Sequence, residues 1–334
     1  MIKHRSIALR RIAFLSLLVS LSCTAVAAQA PLPVAKLPIE ARIPVPAGPG
    51  WLGVGFGSVW VSKSQQHRLY RIDPASNKVI ATTPLGPDPE LGIGFGLGSV
   101  WIADTKEHTI RRIDPVSNKV VNTFAVNISN EPEGSIDVGH GSLWVLTNEN
   151  KTDSGTLSRL DPESGKVIAN IPVKPHSYAV ALYQDSAWVT NSSDASVTRI
   201  DVKTNTVTAS IPVHAGPRFI AAGEGGIWVL SQSDGSLARI DPASNRVVAT
   251  LALGGPGPGG DLWVEDGIVW ASANTLPISV VDPKRNELIR QFKSPENIDT
   301  LRAAYGAVWV IDAPAGTVWK VSIDKLKTGA AHHQ

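Results

Sequence analysis

Cysteine is all but absent: the 334 residues contain one, Cys23. It lies in a segment expected to be removed, so the mature protein has no disulfide and no thiolate chemistry and must be held by its core alone. An excess of one charge sign is lacking too. The whole chain has 31 lysines and arginines against 29 acidic residues. Four of the basic residues, Lys3, Arg5, Arg10 and Arg11, fall within the first 27 positions, which leaves the remainder at about −2. No long-range basic field is left to attract nucleic acid or an acidic membrane. No stretch keeps a 3.6-residue apolar period, so very little helix is expected. The glycine-rich run from Gly254 to Gly260 is followed by no lysine-serine pair and no helix, which excludes a phosphate loop. No Ser-His-Asp set can be picked out by spacing, since five of the seven repeats hold all three residue types.

The N-terminus has the layout of a secretory signal. The basic residues come first, an apolar stretch from Ile12 to Leu21 follows, and Ala25-Val26-Ala27 supplies small residues for cleavage. The apolar stretch is too short for a comfortable membrane span. Residues 1–27 are therefore read as a signal peptide, 28–40 as a linker, 41–327 as the folded domain and 328–334 as a disordered tail. The product is expected to be periplasmic or secreted, with no transmembrane anchor after cleavage. A lipoprotein signal cut before Cys23 is the alternative, poorly matched by Ser20-Leu21-Ser22.

A repeat fills the rest. Gly-Ser-Val-Trp-Val and its variants place tryptophans at Trp60, Trp101, Trp144, Trp188, Trp228, Trp270 and Trp309, in steps of 41, 43, 44, 40, 42 and 39 residues. An Ile-Asp-Pro motif or a variant of it follows each, with aspartates Asp73, Asp114, Asp161, Asp201, Asp241, Asp282 and Asp324. This period is that of a four-stranded propeller blade. Within a repeat, short runs rich in branched and aromatic residues alternate with turn residues, as at 52–56, 59–62, 68–72 and 78–82.

The turns sharpen this reading. Three residues before the tryptophans stand six glycines and Asp185, at a position that needs positive φ. Four residues after the first six aspartates stand Asn77, Asn118, Gly165, Asn205, Asn245 and Asn286, which tolerate the left-handed conformation. The regular spacing makes the aspartates turn caps; a calcium ladder is the functional alternative. The tryptophans read as core between blades.

The last repeat lacks a fourth strand. Ala41-Arg42-Ile43-Pro44-Val45 matches Ala169-Asn170-Ile171-Pro172-Val173 and Ala209-Ser210-Ile211-Pro212-Val213, so the N-terminus is expected to supply it. The fold class is all-β: a seven-bladed propeller of four-stranded blades, closed by an N-terminal strand that completes the last blade, and monomeric.

The glycine-tryptophan element followed by Arg-Ile-Asp-Pro-x-Ser-Asn-Lys-Val resembles the YVTN-type propeller repeats. It is also similar to the virginiamycin B (streptogramin) lyase group of seven-bladed propellers, across residues 41–324. The lyase resemblance implies a histidine base and a divalent metal, magnesium or calcium, held by acidic residues over the channel. It also implies a Glu-x-His element in a late blade, and this sequence has none.

Loops from the outer strand of one blade to the inner strand of the next are the most variable parts of the repeat, as expected if scaffold and site are separate. Their candidates for ligand binding are Trp51, Glu90, Tyr178, Arg218, Trp263, Asp299 and Arg302. The candidate catalytic bases are His176 and His214, and a metal could be held by Glu131, Glu133, His176 and His214. Two functions stay open. One is a binding or interaction module that takes a small molecule or a protein at the channel face. The other is a metal-assisted lyase, lactonase or other hydrolase. The missing Glu-x-His element favours the first.

Overall fold

The computed structural model describes residues 30–45, 50–63, 67–85, 91–129, 134–148, 155–257, 259–295, 298 and 300–328. The signal-like segment with Cys23, the tail from residue 329, and Glu90, Glu131, Glu133 and Asp299 lie outside them.

Seven antiparallel sheets form the blades. Blade one runs Trp51–Gly55, Ser58–Lys63, Arg68–Asp73 and Lys78–Pro84, from inner to outer strand. The inner strands of the other six are Leu91–Gly96, Ile136–Gly139, Ser177–Tyr183, Pro217–Gly223, Asp261–Glu265 and Leu301–Ala304. Each inner strand touches the next, and that of blade seven touches that of blade one, so the ring is closed. All seven repeat tryptophans are fully buried between blades. At roughly 25 cal/mol per Å² of apolar area, these large side chains dominate the inter-blade core.

In six blades the inner hairpin turn has two left-handed residues, not one; in blade four only Gln184 (φ 50°) is left-handed, and Asp185, expected at positive φ, is not. The glycines sit at φ 68–73° in six blades, and the residues before them, such as Phe56, Leu97, His140 and Tyr305, sit at 51–56°. This is the primed turn whose twist suits adjacent strands. The third-to-fourth-strand turns follow the expected pattern, with Asn77, Asn118, Asn205, Asn245 and Asn286 at φ 54–57°. The aspartate of each turn accepts from the backbone two and three residues on, as Asp73 does from Ala75 at 3.3 Å and Ser76 at 2.9 Å. Asp324 is the exception. It lies in the first turn of a short helix, Ile323–Thr328.

A strut joins neighbouring blades. Arg159, paired with Trp144 across the blade, lies 5.1 Å from its ring and donates to the carbonyl of Val202 (2.8 Å) and to Asn205 Oδ1 (3.2 Å) in the next blade's turn. Arg71, Arg199 and Arg239 repeat this arrangement. In blade two, Arg112 meets a turn with Gly165 in place of asparagine, and pairs instead with both oxygens of Glu163 at 2.8 Å. A Cβ at Gly165 would come within 2.4 Å of Phe124, which explains the glycine. Lys320 closes the seam by donating to the carbonyl of Pro74 at 2.9 Å.

Blade six has Val280 at the strut position, opposite Trp270. The turn that an arginine there would reach is replaced by the helix Ile323–Thr328. Leu37, Ile323 and Leu326 pack into the cluster around Trp270 instead, and Lys327 Nζ donates to the carbonyl of Asp266 at 2.8 Å.

The N-terminal strand completes blade seven. Ile39–Pro44 pairs antiparallel with Thr317–Ser322, with Ile43 opposite Val318. The strand starts two residues before the expected position. Within the expected linker, Leu32–Pro33 pairs in parallel with the outer strand of blade six, and a 3-10 turn, Val34–Lys36, leads on to blade seven. No helix among the described residues is long and apolar enough to cross a membrane.

Candidate axial ligand site

The residue opposite each repeat tryptophan on the inner strand occupies one level of the ring. From blade one to seven these are Gly53, Gly94, Asp137, Ala181, Ala221, Trp263 and Arg302. Four blades thus offer only small side chains, and three offer a carboxylate, an indole and a guanidinium. A cavity of about 260 Å³ lies at the axis, lined by residues of all seven blades, Ala181 and Ala221 among them.

Arg302 is held from several sides. Its guanidinium lies 4.8 Å from the Trp263 ring and 5.5 Å from the Trp51 ring. Its Nη1 donates to Asp261 Oδ2, with which it forms a buried ion pair, and to the carbonyl of Leu301 at 2.6 Å. Asp261 also accepts from the backbone N–H groups of Leu301 (3.0 Å) and Leu262 (2.8 Å), and Trp263 Nε1 donates to the carbonyl of Ala303 (3.0 Å). Burial raises the Asp261 carboxyl, against the Arg302 charge and the two backbone donors. The residue is 9% exposed, and no hydrogen bond among the described residues uses its Nε or Nη2. Such a group is fixed in place with donors in reserve.

Asp137 lies on the far side of the ring. Its oxygens accept from the N–H groups of Val138 and of Leu182 in blade four, both at 2.7 Å. Burial pushes its carboxyl up to about 6, against those two bonds and the nearby His140. It is the group in the site that reading the loops misses. The signal was present in the sequence, seven residues before each tryptophan, but on a strand and not in a loop.

Trp51, Trp263 and Arg302 are brought together by the fold. Arg218 and Tyr178 meet each other, with the Arg218 guanidinium 4.7 Å from the Tyr178 ring, and neither lines the axial cavity. The two candidate bases stand elsewhere. His214 is exposed and its Nδ1 is 2.6 Å from Asp234 Oδ2. His176 is exposed, with a left-handed backbone at φ 54°. Neither lines the axial cavity. Among the described residues no three histidine, cysteine or acidic side chains cluster as metal ligands, and Glu131 and Glu133 lie outside those residues.

Fold and site together define a closed seven-bladed β-propeller with a lined cavity on its axis. A streptogramin B lyase structure is similar to it, with a TM-score of 0.69 at 16% identity over 84% of this chain and 96% of that one. The crystal structure of BamB from Moraxella catarrhalis is similar at a TM-score of 0.57 and 10% identity, over the same shares. At such identities the likeness shows a shared fold. No protein-family model matches the chain, and no curated protein sequence matches it.

Proposed function

We propose that the chain is an exported binding propeller whose ligand site is the axial cavity. The observation that carries this is Arg302, fixed between Trp51 and Trp263 by Asp261, with Nε and Nη2 unused among the described residues, in the wall of a cavity otherwise lined largely by small and apolar groups. Concave, mostly apolar sites with a few fixed polar groups are where small ligands bind. Export is supported by the signal-like N-terminus. Rim groups such as Arg218 and Tyr178 suit contacts with a ligand that projects from the cavity or with a protein partner.

The test is calorimetry and tryptophan fluorescence on the exported protein against a small-molecule library. Ala181→Leu, which fills the cavity without touching Arg302, is the control. One-to-one binding lost in Ala181→Leu supports the reading. Ligands that bind equally well to both proteins would sink it.

The second reading is a metal-assisted lyase or hydrolase. It is favoured by the His214–Asp234 pair, since a histidine oriented by a carboxylate is how a general base is set, and by the likeness to a streptogramin B lyase. Titration with Mg²⁺ and Ca²⁺ checks it, alongside His176→Ala, His214→Ala and Glu133→Ala. One-to-one metal binding lost in those variants would move the assignment to an enzyme.

A further inference from the structure

The charged groups at the tryptophan-facing level of the ring are not evenly spread. Arg302 stands on blade seven. Asp137 stands on blade three, with three blades between them on one side and two on the other. They therefore face one another across the axis. The intervening positions at this level are Ala181, Ala221 and Trp263 on one side, and Gly53 and Gly94 on the other. Phe95 and Val138 pack over Gly53 and Gly94, while Ala181 and Ala221, no larger than a methyl group, line the same cavity as the two charges.

The neighbourhood of each charge fixes its sign of recognition. The Asp261 carboxylate is matched by Arg302 and by two backbone N–H groups, so that pair adds no net charge to the cavity. What Arg302 keeps in reserve is a pair of N–H directions, Nε and Nη2, which is the geometry that takes a carboxylate or another two-oxygen anion. Among the described residues no cationic side chain is bonded to Asp137. Its two oxygens hold one backbone N–H each, from Val138 and Leu182, which leaves each with a lone pair. A carboxylate in an apolar wall attracts a cationic partner.

We propose that the axial cavity binds a small bipolar molecule, with an ammonium group set against Asp137 and a carboxylate set against Arg302. An ω-amino acid with an unbranched apolar middle is the simplest member of the class. Its methylene chain would lie over Ala181 and Ala221. This rests on the axial cavity being the ligand site, and adds to it a ligand class and an orientation.

The experiment is calorimetry on the exported protein with the ω-amino acids that have three to seven methylenes. Alkylamines and alkanoates of matched length serve as single-charge probes. One chain length is expected to bind at least 10-fold tighter than either of its matched probes. Asp137→Asn should abolish the preference over the alkanoate and leave alkanoate binding in place. Arg302→Lys, which keeps the charge and loses the fork, should weaken amino acid and alkanoate alike. Melting curves without ligand show whether each variant is folded. An alkanoate that binds as tightly as the amino acid, an Asp137→Asn protein with an unchanged preference, or no binding at any length overturns the bipolar ligand. The first two outcomes leave the cavity reading standing if Ala181→Leu removes the binding. A binding event that survives Ala181→Leu overturns both.

Discussion

The struts between blades each rest on one arginine. Arg199 lies 4.8 Å from the Trp188 ring and donates to the carbonyl of Pro242 at 2.7 Å and to Asn245 Oδ1 at 2.8 Å. Arg199→Met keeps the stem and removes these bonds. It should lower unfolding free energy by about 1–3 kcal/mol in chemical denaturation. The tryptophans differ among themselves. Trp144 Nε1 donates to the carbonyl of Gly139 at 3.2 Å, whereas Trp188 Nε1 is buried with no partner among the described residues. Losing the indole N–H therefore costs a bond at one site and relieves an unmet donor at the other. Trp188→Phe should be less destabilising than Trp144→Phe by about 1 kcal/mol on the same assay. Asp137 makes a pH prediction. With its folded value raised from 3.8 to about 6, the folded protein holds a proton across that interval that the unfolded chain has released. Stability therefore falls as pH rises from about 4 through 6, by up to about 3 kcal/mol. Asp137→Asn should flatten that part of the stability-versus-pH curve. The turn aspartates act oppositely. Hydroxyls such as Ser76 and Ser117, and at Asp201 the Thr204 N–H, hold their carboxyls below the usual range. Their contribution is present above about pH 4 and is lost as pH falls through their depressed values.

At the scale of elements, the strand Ile39–Pro44 pairs with Thr317–Ser322 and so completes the last blade with a segment that precedes the first. Its central side chain, Ile43, is 2% exposed and packs with Leu52, Trp309 and Val318. Ile80, on the outer strand of blade one, is 54% exposed. Ile43→Ala should cost about 2–4 kcal/mol and Ile80→Ala close to nothing, read from denaturation midpoints. The comparison separates closure from generic strand propensity, because the same residue type is removed from an outer strand in both.

At the scale of the molecule, closure removes a free strand edge that would otherwise invite pairing with another chain. Deleting residues 30–45 would bare the edge of Thr317–Ser322 and remove the packing of Leu37 at the junction of blades six and seven. The truncated protein should elute as oligomers in size-exclusion chromatography. A peptide spanning residues 38–45, added in excess, should restore the elution volume of the intact protein. A truncated protein that elutes as the intact one does without peptide would mean that the other blades hold the ring without the closing strand.

What the sequence determined by itself is whatever repeats. Blade number, strand order, turn chemistry and the borrowed outer strand are all local patterns, and a pattern that recurs at a period of about 40 residues needs no coordinates to be seen. The tertiary structure decided what happens where the repeat breaks. Val280 in place of a strut arginine has meaning only beside the helix Ile323–Thr328, which removes the carbonyl an arginine would reach. Gly165 has meaning only against Phe124. The candidate site divides the same way. Trp51, Trp263 and Arg302 could be singled out because they depart from the repeat near the channel loops. That Arg302 lies between the two rings, and that Asp137 faces it across the axis, depends on blades more than 100 residues apart being curled into one ring. Side chains that meet across an axis leave no local signature in the chain.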